Sequence, residues 1–234
     1  MDFLTLDWGG VALAIVFAVL FFGLGLGLSY FFLLAMLVFL VLSAIVTYID
    51  LHYKKRLGIG QDPRGVKNVL ANGLPPLIMA FLFYYFSKTG NGTLALLTVI
   101  GFLASVAAIT ADKFNSEIGV LSRDKPSMIF TMKKVKKGTS GAISLLGTAA
   151  GLIGALMIAL MAVLIAMRLS LFHSAYPFGI ERAVGAITIA GFAGSFVDSL
   201  LGYYEEQGIG NKYTSNFLCG MFAGFAAMLI FIIL

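Results

Sequence analysis

Seven stretches of this chain are apolar for about the twenty residues that a helix needs to cross the hydrocarbon core of a bilayer. They cover residues 8–25, 28–49, 69–86, 94–111, 142–169, 183–203 and 217–234. A backbone in lipid must satisfy its own N–H and C=O groups, and helices do so within each segment. The expected architecture is therefore all-α: a polytopic transmembrane helical bundle of about seven spans, with residues 1–234 forming a single domain. Hydrophobic residues make up 60% of the chain and charged ones 12%, with a mean hydropathy of +0.98. A soluble domain carries about 25% charged residues, so water is excluded as the main solvent. The single cysteine, Cys219, lies inside the last run and excludes a disulfide framework or a thiol metal cluster. The first run follows an acidic start (Asp2, Asp7) with no small-residue cleavage pattern, and reads as a retained span rather than a signal peptide.

Only the glycine-alternating segment 23–29 separates the first two runs, and a tight hairpin between two spans is preferred to one kinked helix. The fifth run is long for one crossing, and its Gly147, Gly151 and Gly154 predict a kink or tilt. Charge sets the orientation. Thirteen of the sixteen Lys and Arg residues fall on one side of the runs, leaving Lys88, Arg168 and Arg182 on the other. The positive-inside rule makes the basic side cytoplasmic, with loops 51–68, 112–141 and 204–216 there and both termini expected outside. The net charge of +5 suits anionic lipid rather than nucleic acid. The sequon Asn91-Gly92-Thr93 falls in an outer loop, where so short a match is best taken as coincidence.

Polar residues gather at the inner ends of the runs. Asp50 ends the second run there, and Asn68 and Asn72, four apart on one helical face, enter the membrane from the same side. The fourth run ends as Asp112-Lys113-Phe114-Asn115-Ser116-Glu117, a dense set of the hard oxygen donors that Mg²⁺ takes. Asp112 and Ser116 share a face, whereas Glu117 lies about 140° away, so both carboxylates serve one centre only if the helix breaks. Gly119 could supply that break. Lys133, Lys134, Lys136 and Lys137 then precede Gly138, Thr139, Ser140, Gly141 and Ser144 at the start of the fifth run. Cations, hydroxyls and free backbone N–H groups at a helix N-terminus suit phosphate, although the order is not that of a P-loop; the alternative is a polybasic anchor on anionic lipid. Asp198 sits about five residues, roughly 7–8 Å, inside the sixth run, where an ionised carboxylate costs a few kcal/mol unless it is paired or hydrated. Gly194, Asp198 and Gly202 share one stripe, with Ser199 alongside and Glu205 further down. Asp198 is expected to be a ligand or charge partner of a site, its alternative being a structural ion pair with a lysine. Asn211 and Asn216 start the last run on the same side. Neither His52 nor His173 joins this group, so histidine nucleophilic catalysis and zinc chemistry find no support.

Four segments carry a resemblance. ADKFNSEIG (111–119), KGTSGAISLLG (137–147), GSFVDSLLG (194–202) and GVKNVLANG (65–73) resemble the motifs of the integral-membrane phytyl-phosphate kinase family. The chain departs from that family at Lys113, where Thr is usual, and at Ala142, where a second glycine is usual. The resemblance implies transfer of a phosphoryl group from a nucleoside triphosphate, CTP being the expected one, to a prenyl monophosphate, giving the diphosphate. Asp112, Glu117 and Asp198 would be the catalytic and Mg²⁺-binding carboxylates. Asn68, Asn72, Asn115, Ser116, Ser144, Ser199, Asn211, Asn216 and the 133–141 segment would contact phosphates. A phosphate monoester is already largely ionised at pH 7 and needs no strong base to make it nucleophilic. The prenyl chain is expected among the glycine-lined fifth and sixth runs. Expected partners are the nucleoside triphosphate, the prenyl phosphate and the lipid bilayer, with a homo-oligomer left open and no nucleic acid. A cytidylyltransferase making a CDP-activated lipid would need the same groups. A transporter would need polar residues along a through-path, which the bare outer halves of the runs do not offer.

Overall fold

The computed structural model describes residues 5–59, 63–169 and 179–234. Helix α1 (Trp8–Leu24) is capped by Asp7, whose Oδ1 accepts the Gly10 N–H at 2.6 Å. One 3-10 turn leads into α2 (Ser29–Tyr48), and the Ser29 hydroxyl closes the hairpin by donating to the carbonyls of Phe22 (2.6 Å) and Leu26 (2.7 Å). A short helix, α3 (Leu51–Arg56), follows, capped by Asp50 in the left-handed region. Then come α4 (Val66–Lys88) and α5 (Gly92–Gly119). Strands β1 (Ser127–Met128) and β2 (Ala142–Ile143) pair antiparallel before α6 (Leu145–Ala159) and α7 (Met161–Leu169). Helices α8 (Gly179–Glu205) and α9 (Lys212–Ile233) complete the described chain. Among the described residues six helical segments are long and apolar enough to cross a membrane, and α1, at 17 residues, is a shorter apolar helix. The chain is thus an integral membrane helical bundle.

α5 is its axis. Nearly all residues of its most apolar stretch are buried, and α2, α4, α6, α8 and α9 all pack on it. Small residues allow that closeness. A Cβ on Gly191 of α8 would come within 2.6 Å of the Ala107 Cβ, and one on Gly194 within 2.8 Å of the Ala108 Cβ. With no hydrophobic force to drive helices together in lipid, such backbone approach supplies the packing. Nearer the outer side, Phe102 of α5 stacks on Phe32 of α2 with ring centroids 4.2 Å apart.

One expectation changes. Gly147, Gly151 and Gly154 seat α6 against Asn115, Ala111 and Phe114 of α5, and the helix is interrupted beyond them, at Leu160. The Asp7 N–H donates to the Arg64 carbonyl (3.2 Å) and the Arg64 N–H to the Thr5 carbonyl (2.8 Å), so α1 starts beside the segment that precedes α4.

Candidate functional site

The inner ends of α5, α8 and α9 converge with the segment before α6 on a polar cavity of about 340 Å³. Asp112 and Asp198 reach it from α5 and α8, and Lys212 from the first turn of α9. The Lys212 ammonium lies 2.6 Å from Asp198 Oδ2 and 3.7 Å from Asp112 Oδ2, so one cation is shared by both carboxylates. Asp198 is 4% exposed. An acid held that far from water requires such a partner. The bare stripe expected around it is real and is covered by protein: Gly194 lies against Ala108 and Ala223, and Gly202 against the Gly141 backbone.

The 138–144 segment forms the opposite wall. Gly141 adopts φ +72°, and a Cβ on it would meet the Tyr203 nitrogen at 2.5 Å, so only glycine lets the loop lie on α8. Ser140 is held from α8 as well: its N–H donates to Glu206 Oε1 (2.9 Å) and its hydroxyl to Glu205 Oε2 (2.8 Å). Glu205 also accepts from the Ser215 hydroxyl of α9. The helix begins later than the sequence suggests. Ser144 is the cap of α6, its Oγ accepting the Gly147 N–H (3.1 Å) and donating to the Gly119 carbonyl (3.2 Å). Ser116, Asn115, Thr139 and Ser199 also line the cavity.

The four lysines before this segment do not. Lys137 is tied to the Ser122 carbonyl and the Tyr53 hydroxyl (2.9 Å), Lys134 donates to the Lys125 carbonyl (3.1 Å), and Lys133 and Lys136 are exposed. The β1–β2 pairing turns this stretch away from α5. Asn211 is used as the cap of α9, accepting from Tyr213 and Thr214. His52 is exposed on α3, and His173 lies outside the described residues.

Glu117 departs from the expectation that it shares a centre with Asp112. α5 runs unbroken to Gly119, so Glu117 stays on another face, where it accepts from Lys54 (2.8 Å) and pairs with Lys113. Lys54, 1% exposed, also donates to the Val46 (2.7 Å) and Thr47 (3.2 Å) carbonyls that end α2. This is a structural ion cluster holding α3 under the bundle. Among the described residues no three Asp, Glu, His or Cys side chains group as a metal-ligand set.

A second polar cavity, about 270 Å³, adjoins the first and shares Asp112, Ser116 and Lys212 with it. Arg64, Lys113, Asn68, Asn72 and Asn216 complete its polar lining. Asn72 donates to Asn68 Oδ1 (2.8 Å). The Asn216 amide lies between Asn72 Oδ1 (3.2 Å) and Asp198 Oδ1 (3.0 Å), and its orientation decides which one it serves. Arg64, on the loop before α4, donates to the Thr47 hydroxyl at 3.2 Å. Burial pulls its guanidinium below the ordinary value, opposed by the Glu117 and Asp112 carboxylates. Lys212, Glu205 and Arg64, which the expected contacts did not include, thus belong here. Glu205 was signalled by the Asp198 stripe; Arg64 and Lys212 looked like any other basic loop residue.

The chain is 36% identical over 201 residues to the uncharacterized membrane protein MJ0933 of Methanocaldococcus jannaschii, covering 86% of this chain and 76% of that one. It is 29% identical over 124 residues to the chloroplastic protein VTE6 of Arabidopsis thaliana, covering 52% and 37%. It is 34% identical over 106 residues to protein PGR of the same plant, covering 44% and 35%. No solved structure matches it significantly. The model of an integral membrane protein family, DUF92, matches residues 2–220, a range that contains all four segments carrying the resemblance, and the chain belongs to that family.

Proposed function

We propose that this protein is a membrane kinase that transfers the terminal phosphoryl group of a nucleoside triphosphate, CTP by preference, to a prenyl monophosphate. The observation that carries the reading is the shared centre of Asp112, Asp198 and Lys212 between a hydroxyl-lined and a cation-lined cavity. Two phosphate-bearing substrates could approach that centre from its two sides. The motif resemblance and the similarity to a chloroplastic plant relative point the same way.

The donor set fits Mg²⁺, which is usually held by one or two carboxylates plus substrate phosphates rather than by an all-protein cage. Asp112 and Asp198 would hold it, and bound there it would supply positive charge to the phosphate oxygens. This chain's own residues do the rest. Lys212 offsets charge developing on the transferred group, and the hydroxyls of Ser116, Thr139 and Ser199 orient phosphates. A prenyl phosphate oxygen forms a bond to the γ-phosphorus while the bond to the β-phosphate oxygen breaks. Nucleoside diphosphate leaves, and no proton needs to be removed from the nucleophile. The basic loops support a cytoplasmic face for this chemistry under the positive-inside rule.

The test is product analysis with purified protein in neutral detergent, given CTP, Mg²⁺ and either prenyl monophosphate or the matching alcohol. Prenyl diphosphate plus CDP from the monophosphate is expected. Release of inorganic diphosphate with a CDP-lipid would assign attack at the α-phosphate instead, and phosphorylation of the alcohol alone would put the enzyme one step earlier. Activity on neither, with substrate-dependent ion flux in liposomes, would make it a transporter.

A further inference from the structure

An apolar groove of about 480 Å³ lies between α1, α2 and α4. α1 packs against α4 while α2 packs on α5, and the groove is the space this divergence leaves. Ala14 and Ala18 of α1 and Leu33 and Leu37 of α2 form its walls. Gly73 of α4 forms part of its floor, where a Cβ would come within 2.1 Å of the Phe17 ring. The mouth faces the bilayer, since Tyr30 and Leu37, both lining it, are largely exposed. Its volume lies within the range of about 300–1,000 Å³ typical of small-molecule sites.

The other end is not apolar. Phe39, Arg64, Asn68 and Asn72 line both the groove and the cation-lined cavity, which in turn shares Asp112, Ser116 and Lys212 with the hydroxyl-lined one. An apolar channel entered from lipid thus ends at a guanidinium and two amides one step from the Asp112–Lys212 centre. We propose that this groove holds the isoprenoid chain of a prenyl monophosphate, with Arg64, Asn68 and Asn72 receiving its phosphate. Position and charge select that occupant: in the cavity where the head group would stop, Lys113 is paired with Glu117 and Lys212 with Asp198, and the Arg64 guanidinium, hydrogen-bonded to the Thr47 hydroxyl, is the cation that also lines the groove. The planar guanidinium suits a phosphate dianion, which it can meet with two parallel hydrogen bonds. The inference rests on the kinase reading for the identity of the head group. It assigns the lipid to the α1–α2–α4 side of the centre and leaves the 138–144 side to the nucleotide.

A photoactivatable twenty-carbon prenyl monophosphate, added to the purified full chain in neutral detergent without nucleotide, separates this inference from the kinase reading. Labelling is expected on α1, α2 and α4. It should be competed by unmodified prenyl phosphate far better than by phosphatidic acid, and should fall at least fivefold in Arg64→Gln. Ala18→Phe, which narrows the groove, should lower kcat/KM for the twenty-carbon phosphate at least tenfold more than for a five-carbon one. Labels on α6 and α8, equal competition by phosphatidic acid, or no loss of labelling in Arg64→Gln would overturn the inference, whatever the activity. Groove labelling with no turnover of prenyl phosphate would sink the kinase reading and leave the groove assignment standing.

Discussion

Asp198 and Glu117 are both buried acids paired with lysine, yet their surroundings give them different parts to play. Asp198 borders a cavity and shares its lysine with a second carboxylate, whereas Glu117 is enclosed by Lys54, Lys113 and Thr47. Asp198→Asn keeps the volume and removes the charge, so it is expected to cut turnover at least a hundredfold, on the order of the loss when one charge-stabilising group is removed from an active site. Membrane insertion and Tm in detergent should stay near those of the parent; turnover within threefold of the parent would remove Asp198 from the chemistry. Glu117→Gln should act on stability instead. Breaking a buried ion pair from one side costs about 3–5 kcal/mol, because the ammonium groups left behind lose their counter-charge. A clear fall in Tm is expected, larger than that of Asp112→Asn, whose side chain borders a cavity. An unchanged Tm would mean that Lys54 and Lys113 find other partners.

The 138–144 loop is held by shape rather than by the charge that precedes it. A Cβ on Gly202 would meet the Gly141 nitrogen at 2.4 Å, so Gly202→Ala must push the loop off α8 and pull Ser140 away from Glu205 and Glu206. If that loop positions the nucleotide, affinity for CTP measured by direct binding should fall at least tenfold, while prenyl-phosphate labelling in the groove changes little. Neutralising Lys133 and Lys136 together tests the other half of the motif. Both are exposed and neither lines the cavity, so nucleotide affinity in neutral detergent should stay within about twofold, and binding to anionic vesicles should weaken by about 1 kcal/mol per lysine. A large loss of nucleotide affinity in detergent would bring those lysines back to the phosphates.

The bundle has one end at which polar residues gather. Loops between α2 and α4, α5 and α6, and α8 and α9 meet at the polar end, together with the start of α1. Cys219 is fully buried and is the one cysteine in the chain, so added thiols can be read without background. Lys136→Cys and Thr89→Cys, on exposed positions at opposite ends, should react with an impermeant maleimide from opposite sides of sealed vesicles, Lys136→Cys from the cytoplasmic one. Labelling of Lys136→Cys from the outer side would reverse the orientation of the site.

Span positions, the gathering of polar residues at one end of the bundle and the need of Asp198 for a partner were legible in the sequence because each depends on one segment meeting lipid. Twenty apolar residues cross a bilayer whatever their neighbours are, and an acid below the interface needs a partner wherever it is found. The tertiary structure decided what depends on which helices become neighbours. It paired Asp198 with Lys212 and sent Glu117 to Lys54, 63 residues away along the chain. It turned the lysine run outward through a two-residue strand pairing, and it closed the α8 glycine stripe against α5 and α9. It left the opening between α1, α2 and α4, where Arg64 waits at the inner end. Side-chain periodicity gives the face of a helix on which a residue lies, and only packing decides whether that face meets protein, lipid or a cavity.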